Sequence, residues 1–260
     1  MDASLALKEV ENSIRDFISY ILSRDKGTDW ISTCGVSQQR INHWVERKSI
    51  EEKKHKFGTA EGRLIYYSDF YDLLTILDKS WNNVFKDALG DKKEVDVFLK
   101  TLDMFRNTDA HRREALPHQK HLIIGIAGEL RNRITLYRSR METGEDYFPR
   151  IESARDNYGG SWVIGDHIIT SKSVLRPGDW LTFVISATDP LGEQLEYCCL
   201  GNSKWSVSNI IEFEIENKHI SKLTDFILCI RSKRDFHAYN SLDPKDDMII
   251  FRYSILPKLQ

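Results

Sequence analysis

The sequence is poor in cysteine, in proline and in long apolar runs, and each shortage excludes a class of protein. Its 260 residues include four cysteines and six prolines. Four cysteines are too few for the disulfide framework of a secreted domain, so we expect a reducing, intracellular setting. Charges interrupt each apolar stretch before the roughly 18 residues that a membrane span needs. The first residues lack the basic and apolar parts of a signal peptide. We therefore predict a cytoplasmic protein with no membrane partner.

The charge balance excludes a protein that is basic throughout. Lysine and arginine together number 37 against 39 aspartates and glutamates, which gives a net charge of -2. Any nucleic-acid binding must therefore use a local basic patch. The hydrophobic fraction of 41% is enough for one large domain or two small ones.

The first part of the chain has helical periodicity. Up to about residue 142, apolar residues recur three and four positions apart, which is typical of amphipathic helices. The clearest stripe runs from Phe70 to Phe85, with Ser68 or Asp69 as its predicted N-cap and Gly90 as its stop. Five such segments, near residues 7–21, 41–56, 70–85, 95–111 and 117–137, predict an all-α bundle over residues 1–142.

The last part of the chain has the residue pattern of β-strands. Polar and turn-forming residues fill 143–160, which we predict to be a linker. Runs rich in β-branched and aromatic residues follow at 180–186, 211–216, 223–231 and 248–256, separated by turn signals. Cys198 and Cys199 are adjacent and would point to opposite faces of a strand. This pattern predicts a small β-sandwich over residues 161–260 and, for the chain, an α+β protein of two domains.

One polar stretch at the end of the fourth helix has residues suited to phosphodiester chemistry. It runs from Phe105 to Arg113, and Asn107 and His111 in it share one helix face because they are four residues apart. Arg106 is about 140° from His111 on the same helical wheel. Histidine exchanges a proton near neutral pH, arginine neutralises phosphate charge, and an amide orients either of them.

This stretch resembles the signature of the HEPN superfamily (higher eukaryotes and prokaryotes nucleotide-binding domain). In that signature an arginine is followed by a polar residue, by three further residues and then by a histidine, as in the run Arg106–His111. The segment Leu64–Leu73, the later Trp81 and the run Gly27–Trp30 are similar to a particular HEPN branch, also found at the end of a eukaryotic mRNA-quality-control endonuclease. The resemblance covers roughly residues 5–142.

The resemblance implies a metal-independent endoribonuclease that acts as a homodimer and needs no cofactor. Two copies of the motif would meet across the dimer interface in a composite site. His111 would transfer the proton for attack by the ribose 2′-hydroxyl, Arg106 would stabilise phosphate charge, and Asn107 would orient the pair. The product would carry a 2′,3′-cyclic phosphate. The family also implies a setting in defence, toxin action or stress response.

Basic residues gather beside the motif. Between Arg112 and Arg140 the sequence has seven arginines and lysines and two glutamates, and seven minus two leaves +5. This excess predicts a phosphate-binding surface, with Arg112, Arg113 and Lys120 as candidate RNA-binding residues. For any single one of these charges, a solvated helix face is the commoner explanation.

Two other functions remain open for the helical domain. Arg106 and His111 can also cap helix carbonyls, which would leave a non-catalytic HEPN scaffold that dimerises and binds RNA or a protein. His111, His118 and His121 could instead serve a metal-dependent hydrolase. The usual further ligands are not present in a recognisable pattern, so we predict no metal site.

The second domain has no catalytic grouping. Its runs Asp179–Phe183, Ala187–Gly192 and Leu195–Tyr197 are loosely similar to the strand–turn–strand unit of Ig-like and cadherin-like modules. Such sandwiches usually recognise other macromolecules through their edges and end loops. We therefore predict a recognition module that binds a protein partner or a trigger.

Overall fold

The computed structural model of the protein describes residues 2–54, 61–110, 115–145, 147–234 and 244–258, and the side chains of 107–110 lie outside this description. The chain divides into two compact units, Met1–Tyr137 and Arg138–Gln260. This division falls inside the last helix, slightly before the predicted domain end at residue 142.

The first unit is helical. Its α-helices are α1 (Ala3–Lys26), α2 (Gln38–Lys54), α3 (Phe70–Ser80), α4 (Lys86–Leu89), α5 (Lys92–Ala110) and α6 (Pro117–Thr143), of which the last continues into the second unit. Short 3-10 turns occur at Trp30–Thr33 and Leu64–Tyr67. The predicted all-α bundle is confirmed.

The third predicted helix begins and ends where the sequence indicates. Asp69 is the N-cap of α3 and forms a reciprocal capping box with Asp72. Gly90 ends α4 with a φ of 88°, a conformation that glycine adopts without steric cost. The periodicity does not reveal the π-helical turn at Trp81–Phe85, which separates α3 from α4.

One hydrophobic core fills the helical unit. It is formed by the apolar faces of α1, α3, α5 and α6, together with three buried tryptophans from other segments: Trp30, Trp44 and Trp81. On α5 the buried positions follow helical spacing and are Val95, Leu99, Leu102 and Phe105. The residues next to them lie at the edge of the core. Arg106 is one of those edge residues.

The second unit is built from strands. They are β1 (Arg150–Asp156), β2 (Ser161–Val163), β3 (Ile168–Leu175), β4 (Trp180–Thr188), β5 (Leu195–Cys199), β6 (Ile210–Glu214), β7 (Ser221–Ser232) and β8 (Asp247–Ile255). In the described residues they form two four-stranded sheets, with orders β2-β1-β4-β6 and β3-β8-β7-β5. The pairing of β3 with β8 is parallel, and the other strand pairs are antiparallel.

The two sheets pack face to face. The ring of Phe183 on β4 lies 5.0 Å from that of Phe251 on β8 and 6.4 Å from that of Phe226 on β7, measured between centroids. Successive strands from β3 to β7 alternate between the sheets, so each of these connections crosses from one sheet to the other. Cys199 belongs to the core whereas Cys198, beside it on β5, does not. The predicted sandwich is confirmed.

The predicted linker is wrong over part of its length. Residues 150–156 form β1, which pairs with β2 and β4. This strand was missed because only Ile151 and Ala154 in it are apolar, so its sequence shows no hydrophobic run. Its polar residues are stabilised by partners elsewhere in the unit; Asp156, for example, accepts the hydroxyl hydrogen of Tyr253.

None of the helices in the described ranges combines the length and the apolar character that crossing a bilayer requires.

Candidate active site

The predicted catalytic motif lies at the end of α5. Arg106 and Asn107 fall within this helix, and the surroundings of the Arg106 side chain are described. The side chain of Asn107 lies outside the description, as do the predicted residues His111, Arg112 and Arg113. Arg106 is therefore the residue of the motif whose side-chain contacts the structure describes.

Arg106 contacts three helices at once. Its Nε lies 3.3 Å from Oε2 of Glu11 on α1, and the side chain is 37% exposed. The guanidinium carbon lies 5.8 Å from the centroid of the Phe70 ring on α3. On α5 itself, Nη1 is 3.8 Å from Oδ1 of Asp103, one turn earlier. The guanidinium is thus held at its Nε and over one face, while part of the side chain reaches solvent.

Glu11 is in turn fixed by a second arginine. Arg15, one turn later on α1, donates a hydrogen bond to Glu11 Oε1. Its Nη2 also donates to the backbone oxygen of Ser68 at 3.1 Å, and its guanidinium carbon lies 5.4 Å from the ring centroid of Tyr66. Arg15 therefore connects Glu11 to the segment that leads into α3.

Two arginines from α2 hold the start of α3. Arg47 donates to both carboxylate oxygens of Asp69, at 2.9 and 3.1 Å, and Arg40 Nη2 lies 3.3 Å from Asp69 Oδ2. The hydrogen bond from Arg47 is the largest cause that lowers the pKa of Asp69, and the positive charge of Arg106 lowers this pKa further. Asp69 consequently stays ionised beside the motif.

Part of the predicted basic surface is not available to a phosphate. Arg131 is buried and pairs with Glu9 at 2.8 Å. Arg133 pairs with Glu94 at 2.8 Å and with Glu129 at 2.7 Å. The prediction of a +5 surface is wrong for these residues because carboxylates from α1, α5 and α6 compensate their charges.

The remaining basic residues of that stretch differ in their surroundings. Arg138 is buried in the second unit, where it donates to the backbone oxygen of Ile151 at 2.7 Å. Lys120 lies half-buried on α6. The predicted RNA-binding residues Arg112 and Arg113 lie outside the described residues. A phosphate contact by Lys120 stays a prediction.

Of the three histidines that could serve a metal site, His118 and His121 lie on α6, and His111 lies outside the described residues. His118 and His121 are both exposed on the first turns of α6. Across the described ranges, no group of three His, Cys, Asp or Glu side chains is arranged to hold a metal ion.

Sequence analysis missed the carboxylates around Arg106. The spacing of Asp103 and Arg106, and of Glu11 and Arg15, is visible as i,i+3 and i,i+4 pairs of opposite charge. No local signal connects Glu11 with Arg106, since their contact depends on how α1 packs against α5.

The comparisons with known proteins agree with this architecture for the helical unit. Residues 5–122 match the family model described as Swt1-like HEPN. No curated protein matches the chain.

Among solved structures, the chain is similar to a nucleoside hydrolase-related hypothetical protein from Saccharophagus degradans that is associated with carbohydrate metabolism. The identity is 14%, the TM-score is 0.24, and the match covers 56% of this chain and 34% of that one. The chain thus spans about a third of that protein's length. A similarity of this size supports no conclusion about fold or activity.

Proposed function

We propose that the protein is a metal-independent endoribonuclease whose site is completed by a second copy of the chain. The match of residues 5–122 to the family model described as Swt1-like HEPN supports this proposal. The observation that carries the proposal is the position of Arg106. It sits at the end of α5, held by Glu11 and Phe70 and still partly exposed to an incoming phosphate.

The proposed reaction is a transesterification within the RNA strand. His111 removes the proton of the ribose 2′-hydroxyl, and the resulting oxygen attacks the adjacent phosphorus. The bond from phosphorus to the 5′-oxygen of the next nucleotide breaks, and that oxygen takes up a proton. The products are a 2′,3′-cyclic phosphate and a 5′-hydroxyl end. Arg106 stabilises the negative charge on the phosphate during attack, and Asn107 orients the two groups.

Further residues would hold the RNA, and the second unit would act in recognition. Arg112, Arg113 and Lys120 follow the motif and would contact neighbouring phosphates through their positively charged groups. The β-sandwich would bind a protein partner or a trigger, in a setting of defence, toxin action or stress response, where a cell-damaging nuclease needs control.

Cleavage of mixed RNA in the presence of EDTA tests the enzyme. We expect the unaltered protein to cut, and Arg106→Ala and His111→Ala to lose on the order of a hundredfold or more in rate while remaining folded. Cleavage by both variants at the rate of the unaltered protein would overturn the proposal. Loss of activity in EDTA would favour a metal-dependent hydrolase. Light scattering tests the composite site, because a strict monomer at micromolar concentration contradicts it.

A non-catalytic scaffold is the second candidate. The observation in its favour is that carboxylates of Glu11 and Asp103 lie beside Arg106, so the positive charge already has partners in the protein. RNA binding that is unaffected by either substitution, without cleavage by any form of the protein, would support this function.

A further inference from the structure

Glu11 is shared between two arginines through different oxygens. Oε1 accepts a hydrogen bond from Arg15, and Oε2 lies 3.3 Å from Nε of Arg106. The Glu11 side chain is only 15% exposed. A carboxylate that is mostly buried, with each oxygen facing a different guanidinium, has little freedom to rotate.

Arg15 makes this carboxylate rigid. Its side chain is 10% exposed, and it donates to the backbone oxygen of Ser68 at 3.1 Å and to Oδ1 of Asn12 at 3.2 Å. The position of Glu11 is therefore set by the backbone before α3. Phe70, two residues after Ser68, contacts the guanidinium of Arg106. The start of α3 thus locates Arg106 both directly and through Arg15 and Glu11.

The contact also decides which nitrogens of Arg106 remain for a ligand. Glu11 faces Nε, whereas Nη1 lies 3.8 Å from Asp103, beyond hydrogen-bond distance. A guanidinium fixed at Nε presents its terminal nitrogens as a pair, the geometry that suits a phosphate. Without the fixed end, a flexible arginine would sample many rotamers and would have to be ordered during the reaction.

We propose that Glu11 is a positioning residue that holds Arg106 by its Nε so that the terminal nitrogens meet the scissile phosphate. The inference rests on the proposed nuclease function. Glu11 and Asp103 together balance the charges of Arg15 and Arg106, so Glu11 acts through the placement of the Arg106 nitrogens rather than through net charge. Its effect belongs to the rate of the chemical step rather than to the binding of RNA.

Steady-state kinetics with a short labelled RNA, chosen from the strongest cleavage site in mixed RNA, test this role. We expect Glu11→Ala to lower kcat roughly 10- to 100-fold with little change in KM. Arg106 is still present in this variant, but its Nε is no longer held in position by Glu11. Glu11→Gln keeps an acceptor without the charge and should fall between. A raised KM with unchanged kcat, or an unchanged or raised kcat, would overturn the role.

Glu9→Gln is the matched control. Glu9 is on the same helix and pairs with Arg131, a buried arginine away from solvent. The substitution removes the same charge from the same element and should leave kcat unchanged. Far-UV circular dichroism of every variant separates loss of positioning from loss of folding.

A second measurement does not depend on cleavage. The side-chain Nε–H resonance of Arg106, identified by its absence in Arg106→Lys, should shift and exchange faster with water in Glu11→Gln than in the unaltered protein or Glu9→Gln. An unmoved resonance would overturn the inference. If the unaltered protein cuts no RNA, the proposed function fails and the positioning role with it; if it cuts and the Glu11 variants cut equally well, only the positioning role fails.

Discussion

The indole N–H of Trp44 donates a hydrogen bond to Oδ2 of Asp72 at 2.9 Å inside the helical unit. Asp72 is 1% exposed; it also accepts the backbone N–H of Asp69 at 3.0 Å and a hydrogen bond from Arg40. One buried carboxylate therefore joins α2 to the start of α3. The start of α3 also presents Phe70 to Arg106. The shape of the candidate site therefore depends on the hydrogen bond between Trp44 and Asp72, although neither residue belongs to the site.

Removing this carboxylate should destabilise the helical unit strongly. In Asp72→Ala the Trp44 N–H and the Arg40 Nε lose their acceptor, and we expect the free energy of unfolding to fall by about 3 kcal/mol. Urea unfolding followed by circular dichroism measures the change. Asp78→Ala is the control on the same helix, since Asp78 pairs with Lys92 at the surface and should matter far less. Equal losses in the two variants would contradict the prediction.

Acid should weaken the contribution of Asp69. Arg47 lowers the pKa of Asp69 in the folded protein, whereas the unfolded chain has the ordinary value of about 3.9. The resulting stability is present above that value and is lost as the pH falls through the folded pKa. The difference in unfolding free energy between the unaltered protein and Asp69→Asn should therefore shrink from neutral pH to about pH 3. Arg47→Ala, which removes the main cause of the shift, should behave in the same way; a difference that grows in acid would be inconsistent with it.

Lys120 should contribute one phosphate contact to RNA binding. The logarithm of the RNA-binding constant falls linearly with the logarithm of the salt concentration, and for a single strand each phosphate contact adds about 0.7 to the steepness of this slope. In a His111→Ala background, which prevents cleavage, Lys120→Ala should reduce the steepness of this dependence by about that amount. Lys172→Ala, an exposed lysine on β3, provides the control. An unchanged slope in Lys120→Ala would remove this residue from the RNA-binding surface.

Two glycines should respond in opposite directions to the same substitution. A Cβ on Gly160 would collide with Asp156 and lie 3.2 Å from Cε1 of Phe251. Gly160→Ala should therefore lower the free energy of unfolding by about 1–3 kcal/mol. A Cβ on Gly125, within α6, meets nothing within 4 Å, and alanine there should stabilise by about 0.5–1 kcal/mol. Denaturant unfolding compares them, and stabilisation by both would show that the space beside Gly160 is larger than the structure indicates.

The cysteines should be unreactive in the folded protein. All four are buried, and burial raises the pKa of Cys199 and of Cys229 to about 12 and also raises the pKa of Cys34 and Cys198. The thiolate is the reactive form, so little of it exists at pH 8. Ellman's reagent should react slowly with the native chain and rapidly with four thiols after unfolding. Rapid reaction of a native thiol would mean that the segment around that cysteine opens readily.

Much of the fold was predictable because its signals are local. The capping box at Asp69, the stop at Gly90 and the apolar stripe of α5 are all properties of neighbouring residues. Strands such as β4 carry their own β-branched and aromatic run. Strand β1 carries none, because its polar side chains are stabilised by partners distant in sequence, such as Tyr253 for Asp156.

The sequence by itself determined which residues are the candidates for the proposed chemistry and that a helix places Arg106 beside its buried stripe. Only the tertiary structure decided what that arginine touches, and which neighbouring charges are already compensated. The spacing along α1 cannot show that Glu11 meets α5, nor the spacing along α6 that Arg131 is covered by Glu9. Charge patterns fix what a helix face carries, whereas ion pairs between helices depend on packing angles and register that no single helix contains.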